Sequence, residues 1–504
     1  MAAGGGEPVL QSKTKSVCVV GGGVAGLAAA RELRREGHAV TVMEQSGDVG
    51  GQWLYDPRTD AADPLGAAAP VRVPSSIYAC LRLISPREAM GFSDFQFFPT
   101  DGEGRDPRRF PVHRELHCYL KDFCDAFGLM DAVRLNTRVL RVALTPTSTT
   151  ATRQWTVRSA RLLGTTEDDD DAREEEEEEV FDAVVVATGH YSQPMLPSDI
   201  EGMGEWTRGQ LHSHSYRTPE PFRGEAVVVV GCAESGKDIA LDLCRVAREV
   251  HLAASSKATP ATPAMSRMLA NHGDVLRLHT RIRRLHADGR VEFADGSSVA
   301  ADTVIYCTGY TYSFPFLDTG GAVTIEDDGY VVGPLFEHVF PPSLAPSLSF
   351  VGVARKVLIP WFFELQARWV AQVLSGRRAL PAEEEMLRSV EEHLRAREAA
   401  GVPRKHTHNI AGIEPEKMYE FGERYSDLAP LEEWKKELVM SSIASMMADV
   451  ETFRDRADDS ESVRKGVQGW RGLAAHAQAK SMIAAVDVEG DGAGHGRVSS
   501  SSTD

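Results

Sequence analysis

The chain of 504 residues has only seven cysteines, and no two of them are spaced as Cys-x-x-Cys. Cys18, Cys80, Cys118, Cys124, Cys232, Cys244 and Cys307 are too few and too scattered for a disulfide framework or a dithiol redox pair. They read as reduced thiols of a cytoplasmic protein. Long apolar runs are missing too: the longest, Val17 to Ala30, is interrupted by glycines and stops at Arg31, so no membrane span is expected. Residues 1 to 16 lack the apolar core of a signal peptide. Base is in short supply, since 73 acids against 55 Lys and Arg leave a net charge of -18. That field repels nucleic acid and anionic membrane alike.

What remains is the composition of an ordinary globular enzyme, 42% hydrophobic and 25% charged, long enough for two or three domains. The acid is concentrated between Glu167 and Glu179, eleven acids against one Arg, and adjacent like charges predict a solvated surface loop there. From residue 471 onward Ala, Gly, Asp and Ser predict a disordered tail. His406 and His408, without a third ligand nearby, predict a solvated loop rather than a metal site. Met446, Met447 and Trp361-Phe362-Phe363 read as packing, and Gln366 as a helical residue that can touch a bound ring.

The first organised segment runs Val17-Cys18-Val19-Val20, Gly21-Gly22-Gly23-Val24-Ala25-Gly26, a helical stretch to Glu36, Gly37, then Ala39 to Glu44. This is strand, glycine turn, helix, strand. Gly21 permits the turn, Gly23 admits a diphosphate, and Gly26 lets the helix sit close to the sheet. The diphosphate would rest on the helix N-terminus. Glu44, with Gln45 beside it, ends the second strand, where a carboxylate accepts bonds from a ribose diol and repels a 2'-phosphate. The site suits FAD or NAD. Gly50-Gly51-Gln52-Trp53 follows as a loop able to pass close to a ring.

A second unit starts at the strand Glu225 to Val230, with Gly231-Cys232-Ala233-Glu234-Ser235-Gly236, a helical stretch to about Arg248, and the strand Val250 to Ala254. Ala233 replaces the middle glycine. Beyond the second strand come Ser255, Ser256 and Lys257, hydroxyls and a cation able to hold a 2'-phosphate. Two such units of opposite preference imply electrons passing from a nicotinamide to a flavin, the alternative being a purely structural second α/β unit. Turns at Thr188-Gly189 and Thr308-Gly309, each after a buried strand, mark places where the chain can change domain. A flavin domain interrupted by a nicotinamide domain is therefore expected.

With these units in place the chain resembles the flavin-containing monooxygenases, and among them the plant S-oxygenating group related to glucosinolate S-oxygenases. The likeness spans about Lys15 to Trp470 and includes Ser75-Ser76-Ile77-Tyr78, Pro86-Arg87-Glu88, Asp106 to Pro111, His212 to Arg217, Cys307 to Tyr310, Phe350-Val351-Gly352 and Glu364-Leu365-Gln366. It implies an α/β fold of two Rossmann-like domains, FAD on the first and NADPH on the second. The expected partition is a flexible 1–14, FAD domain 15–193 including the acidic loop 167–179, NADPH domain 194–325, FAD domain and C-terminal helices 326–470, and tail 471–504. The implied reaction carries one atom of dioxygen, through a flavin C4a-hydroperoxide, to a thioether sulfur or an amine nitrogen. No Ser-His-Asp or Cys-His arrangement is needed for that.

The family signature Phe-x-Gly-x-x-x-His-x-x-x-Tyr falls on Trp206, Arg208, His212 and Tyr216, with Arg208 in a glycine place. The family Asn two residues before Pro86 is Ile84 here, followed by Ser85, and isoleucine offers no hydrogen bond. That substitution keeps two alternatives open: an uncoupled NADPH oxidase and a non-catalytic flavoprotein.

Overall fold

A computed structural model describes residues 14–100, 102–146, 148, 153–163, 173–191, 193–254, 262–410, 415–456 and 458–473. The central strands of its two parallel sheets, Ser16–Val20, Ala183–Val186, Ala226–Val230 and Thr303–Tyr306, are short runs rich in β-branched residues and buried on both faces, as parallel sheets between helices require. Ser16–Val20 lies parallel to Ala39–Met43 on one side and to Ala183–Val186 on the other. Val133–Arg134 and Leu348–Phe350 complete that five-stranded sheet at its two edges. A parallel neighbour demands a crossover, supplied by the Ala-rich helix Val24–Arg35. Gly37, at φ 85°, turns the chain back after that helix.

The second parallel sheet is ordered Leu276–His279, Glu249–Ala253, Ala226–Val230, Thr303–Tyr306, Gly209–His212. All five strands fall between residues 209 and 306, whereas the first sheet draws on both sides of that interval. The α/β class with parallel sheets expected from the sequence is the class the structure has. Gln193–Pro194 and Tyr310–Thr311 pair antiparallel as the outgoing and returning crossings. By Leu317–Asp318 the chain again pairs with Thr137–Leu144 of the first half.

Helix Trp361–Leu374 packs along Val24–Arg35 and is fastened to it by charge. Arg31, its side chain 2% exposed, reaches Glu364 at 2.5 Å, Asp94 at 2.7 Å and Glu32 at 2.8 Å. The Phe92 and Phe123 rings each lie 4.9 Å from its guanidinium carbon. Removing one partner of such a buried set strands the others without compensation, so the set locks two helices into one register.

Three expectations need correction. The acidic run is not all loop: Arg173–Phe181 is an edge strand on Trp155–Leu163. Its glutamates meet arginines, Glu174 with Arg138 of the same sheet at 3.0 Å and Glu179 with Arg134 at the edge of the parallel sheet, so repulsion along the strand is offset by these pairs and by water on the open edge. Residues 167–172 of the run lie outside the described residues. His408 is not solvated: it is buried, accepts the Val332 N–H at 3.0 Å and meets His338 at 3.0 Å. The last described helix, 461–473, crosses the expected tail boundary, anchored by Trp470 against Phe98, with ring centroids 4.7 Å apart. Residues 1–13 and 474–504 lie outside the described residues, and none of the described helices is long and apolar enough to cross a membrane.

Candidate dinucleotide sites and the crevice between them

The two glycine turns have one geometry. Gly21 has φ 105° and donates to Met43 O at 2.9 Å; Gly231 has φ 111° and donates to Ala253 O at 2.9 Å. A Cβ on Gly26 would lie 1.8 Å from Gly21 O, and one on Gly236 1.8 Å from Gly231 O. Gly23 caps its helix at φ -80°, ψ -172°, and Ala233 does so at φ -80°, ψ -167°. Neither cap uses a side chain, so both helix N-termini keep free N–H groups for an anion.

The shared backbone explains Ala233. The middle position is extended rather than left-handed and its methyl is exposed, so alanine fits without strain. In the first turn the Gly51 backbone packs on Gly23: a Cβ on Gly23 would meet Gly51 Cα at 3.4 Å, an ordinary contact, whereas one on Gly51 would lie 2.9 Å from Gly23 Cα. Ala233→Gly is therefore expected to lower stability by about 0.4–1 kcal/mol through the unfolded chain and to leave the KM for reduced coenzyme nearly unchanged. Urea unfolding and steady-state kinetics check the two halves.

Electrostatically the sites differ. Glu44 is buried, and its carboxylate accepts from Gly22 N at 2.6 Å and Ser46 N at 2.8 Å, which fixes it at the strand end. Because Val20 pairs with Met43 and Val230 with Ala253, the matching residue in the second unit is Ala254. The backbone agrees: Glu44 N donates to Arg134 O and Ala254 N to His279 O, each at 3.0 Å. At the place Glu44 takes in the first unit, the second has Ala254 and so no carboxylate. Cys232 stands where the first site has Gly22, at which a Cβ would lie 3.1 Å from Glu44 Cβ and Oε2. The thiol-bearing side chain thus occupies the place the acid would need. Ser255, Ser256 and Lys257 lie outside the described residues.

The other candidate residues fall around these turns. Gln45 is exposed next to Glu44, Trp53 ends the short turn Gly51–Trp53 and packs partly on the first core, and Ser235 is exposed in the first turn of its helix. Ile84 is 44% exposed, while its neighbour Leu83 is buried in the first core. Thr308 Oγ1 donates to Met195 O at 2.5 Å, and Gly309 turns with φ 89°. Whether the first crevice suits a large polar group can be tested on unsatisfied atoms. Among the described residues, Thr188 Oγ1, just after Ala187 beside Gly21, and Gln366 Nε2 are buried without a partner. Gln366 Oε1 accepts from Gly352 N at 3.2 Å, and Gly352 lies against Ala25. With the free helix N-terminus and Glu44, these atoms fit a flavin dinucleotide.

Scattered sequence motifs meet between the units. Arg217 donates to Ser75 O, Asp56 O and His214 O, tying Ser75–Tyr78 to His212–Arg217. Tyr310 meets His212 and His214 edge-on at 5.2 and 6.1 Å. Burial pushes the His212 imidazole down to about 3 and lowers His214, so both are neutral at ordinary pH. Arg208, in the glycine place of the signature, rebuilds the turn with bonds to Ala301 O at 2.8 Å and Asp288 O at 3.1 Å. Pro86-Arg87-Glu88 and Asp106–Pro111 brace each other: Arg87 donates to Arg108 O at 2.9 Å and Arg109 to Glu88 at 2.9 Å.

Sequence reasoning missed Asp238 and Asp242. One turn apart on the second helix, they accept from Tyr78 Oη at 3.0 Å and Tyr216 Oη at 2.8 Å. Their spacing of four residues was the available signal. It also missed Lys356, which pairs with Glu234 at 2.8 Å and joins the two units at the mouth of the second turn.

The chain is similar to known proteins over most of its length. The flavin-binding monooxygenase-like family model matches residues 14–283 and 261–414. The Arabidopsis thaliana flavin-containing monooxygenase FMO GS-OX-like 8 is 49% identical over 468 residues, covering 92% of this chain and 96% of the relative. FMO GS-OX5 from the same plant is 42% identical over 452 residues, covering 89% and 93%. Among solved structures, S-allyl-L-cysteine S-oxygenase from Allium sativum is similar with a TM-score of 0.81 and 40% identity, covering 91% of this chain and 99% of that one.

Proposed function

The chain belongs to the flavin-binding monooxygenase-like family, and from that premise we propose that it holds FAD at Gly21–Gly26 and NADPH at Gly231–Gly236 and oxygenates the sulfur of a small thioether. In this reading the first sheet is a discontinuous FAD domain, and the NADPH domain is inserted between the crossings at 193–194 and 310–311. One observation carries the assignment: a buried Glu44 beside one turn and Ala254 at the same place beside the other. The carboxylate accepts a ribose diol and would repel a 2'-phosphate; the alanine does neither.

When bound, the flavin supplies activation of dioxygen, one atom for the substrate and one for water. The chain's own residues bind and orient. The N–H groups at the start of Val24–Arg35 hold a diphosphate, Glu44 a ribose, and Thr188 and Gln366 offer buried polar atoms to the ring side. Neutral His212 and His214 with Tyr310 fill the junction and exclude water from it. Sulfur is favoured over nitrogen by the likeness to an S-oxygenase at 40% identity.

The purified protein is expected to be yellow and to consume NADPH faster with a thioether present. Mass spectrometry under labelled dioxygen should find one labelled oxygen in a sulfoxide. An N-oxide would move the substrate class to amines, and a colourless protein that refuses FAD would overturn the reading.

Ile84 supports a second outcome, NADPH oxidation with release of hydrogen peroxide, because an exposed aliphatic stands where the family resemblance places an amide. Ile84→Asn is expected to raise sulfoxide formed per NADPH consumed by about 2–10-fold, the worth of one hydrogen bond. Peroxide assayed beside product measures it. A wild-type ratio near unity would remove the second outcome.

A further inference from the structure

Residues 449–456, beyond helix Glu433–Ala448, with 458 and 459 after them, touch both units. Val450 is buried in the second unit's core with Ile239 and Leu243. Asp449 holds Arg267 at 3.2 Å, and Glu451 accepts from Asn271 at 2.8 Å and His272 at 2.7 Å, all on or beside helix Pro263–Asn271 of that unit. On the first unit's side Asp455 takes both Nη atoms of Arg82 at 2.8 and 3.1 Å. Asp459 takes those of Arg109 at 2.7 and 2.8 Å.

Arg454 binds both halves at once. Its Nη2 donates to Asp238 at 3.0 Å and its Nε to Leu83 O at 3.2 Å. Asp238 Oδ2 also receives Tyr78 Oη at 3.0 Å. The side chains of Arg454 and Asp238 are 11% and 16% exposed, so this pair is far less screened than a surface ion pair. Leu83 shares a core with Val24 and Ala25 beneath the first turn. Tyr78 shares one with Ile239 and Leu243 beneath the second. The bond from Arg454 therefore closes a loop between the two turns, adding to the two short crossings, the Lys356–Glu234 pair and the bonds of Arg217 to Ser75 O and Asp56 O.

Resting on the two-cofactor reading above, we propose that Arg454, with Asp238 and Tyr78, is a positioning residue for hydride transfer: it latches the units at the spacing that lets the two rings meet. Rings carried on separate units must approach to about 3–3.5 Å, and a misplacement of about 1 Å costs on the order of 10²-fold in rate. Contacts between domains within a chain leave relative motion open unless something fixes them. A half-buried guanidinium with two directional bonds does so.

The test is anaerobic bleaching of the flavin absorbance by saturating NADPH in the holoenzyme, by stopped flow. Arg454→Met and Asp238→Asn are expected to slow it by about 10-fold or more. FAD content and NADPH affinity should stay close to wild type. Arg454→Lys, which keeps charge but loses the fork, should lose less. Hydrogen exchange of the flavin-free protein should quicken in 78–86 and in the helix Glu234–Leu243 together. Wild-type bleaching with quickened exchange would overturn the latch as a positioning device, and unchanged exchange would overturn it as a contact. Should Arg454→Met shed flavin, Tyr78→Phe decides, with a fall of about 2–10-fold expected and an unchanged rate counting against the latch. A wild-type enzyme that binds FAD but is not bleached by NADPH would sink the functional reading instead, and the exchange measurement would still judge the latch.

Discussion

Gly26→Ala is expected to give a folded but colourless protein. The added Cβ would lie 1.8 Å from Gly21 O and 3.4 Å from Val19 Cγ1, so the helix start has to withdraw from the sheet. Gly21 cannot yield, because its own φ of 105° and the nearness of Ala187 O, 2.7 Å from where a Cβ would sit, fix the turn from the other side. Withdrawal carries the free N–H groups away from the diphosphate. Overpacking costs about 1–3 kcal/mol and each lost charge-assisted bond about 1.5–3 kcal/mol, so FAD affinity should fall by roughly 10²–10³-fold. Absorbance near the flavin maximum relative to protein, after reconstitution with FAD, reads it directly. Gly236→Ala carries the same 1.8 Å overlap, with Gly231 O. That variant is expected to stay yellow yet resist reduction by NADPH. Equal loss of colour in both variants would contradict the assignment of one coenzyme to each turn.

The parts of the fold legible in sequence were those that local chemistry dictates. Val17–Val20 and Ala226–Val230 are apolar runs only a buried parallel strand explains, and Gly21, Gly26, Gly231 and Gly236 mark backbone approaches no other residue permits. The acidic run defeated local reasoning because its strand character comes from partners distant in sequence, Arg134 and Arg138. His408 was misread because its burial depends on Val332 and His338, some seventy residues away. Nothing in the sequence links Arg454 to Asp238; 216 residues separate them, and only the tertiary fold makes them one contact. Coenzyme choice at the second site fell between these cases. The sequence showed that no acid ends the strand, but the strand register was needed to show that Ala254, rather than Ser255, stands opposite Glu44's place.

That register yields a designed reversal. Ala254→Glu alone should fail, because Cys232 fills the volume the carboxylate needs; the first site keeps Gly22 there, with only 3.1 Å between a built Cβ and Glu44. The expected result for that single variant is weakened use of both NADPH and NADH. Cys232→Gly combined with Ala254→Glu rebuilds the Gly22–Glu44 pair on the second turn, including an N–H able to hold the new carboxylate as Gly22 N holds Glu44 at 2.6 Å. The acid then accepts a ribose diol and faces a 2'-phosphate with like charge, a juxtaposition that costs several kcal/mol. The ratio of kcat/KM for NADPH over NADH should drop by about 10²-fold or more, mostly by loss of NADPH. FAD content, which the proposed function assigns to the other turn, should not move. A double variant that binds FAD and NADH but retains the wild-type ratio would mean that Ala254 does not face the adenosine ribose, and that coenzyme choice is made at Ser255–Lys257.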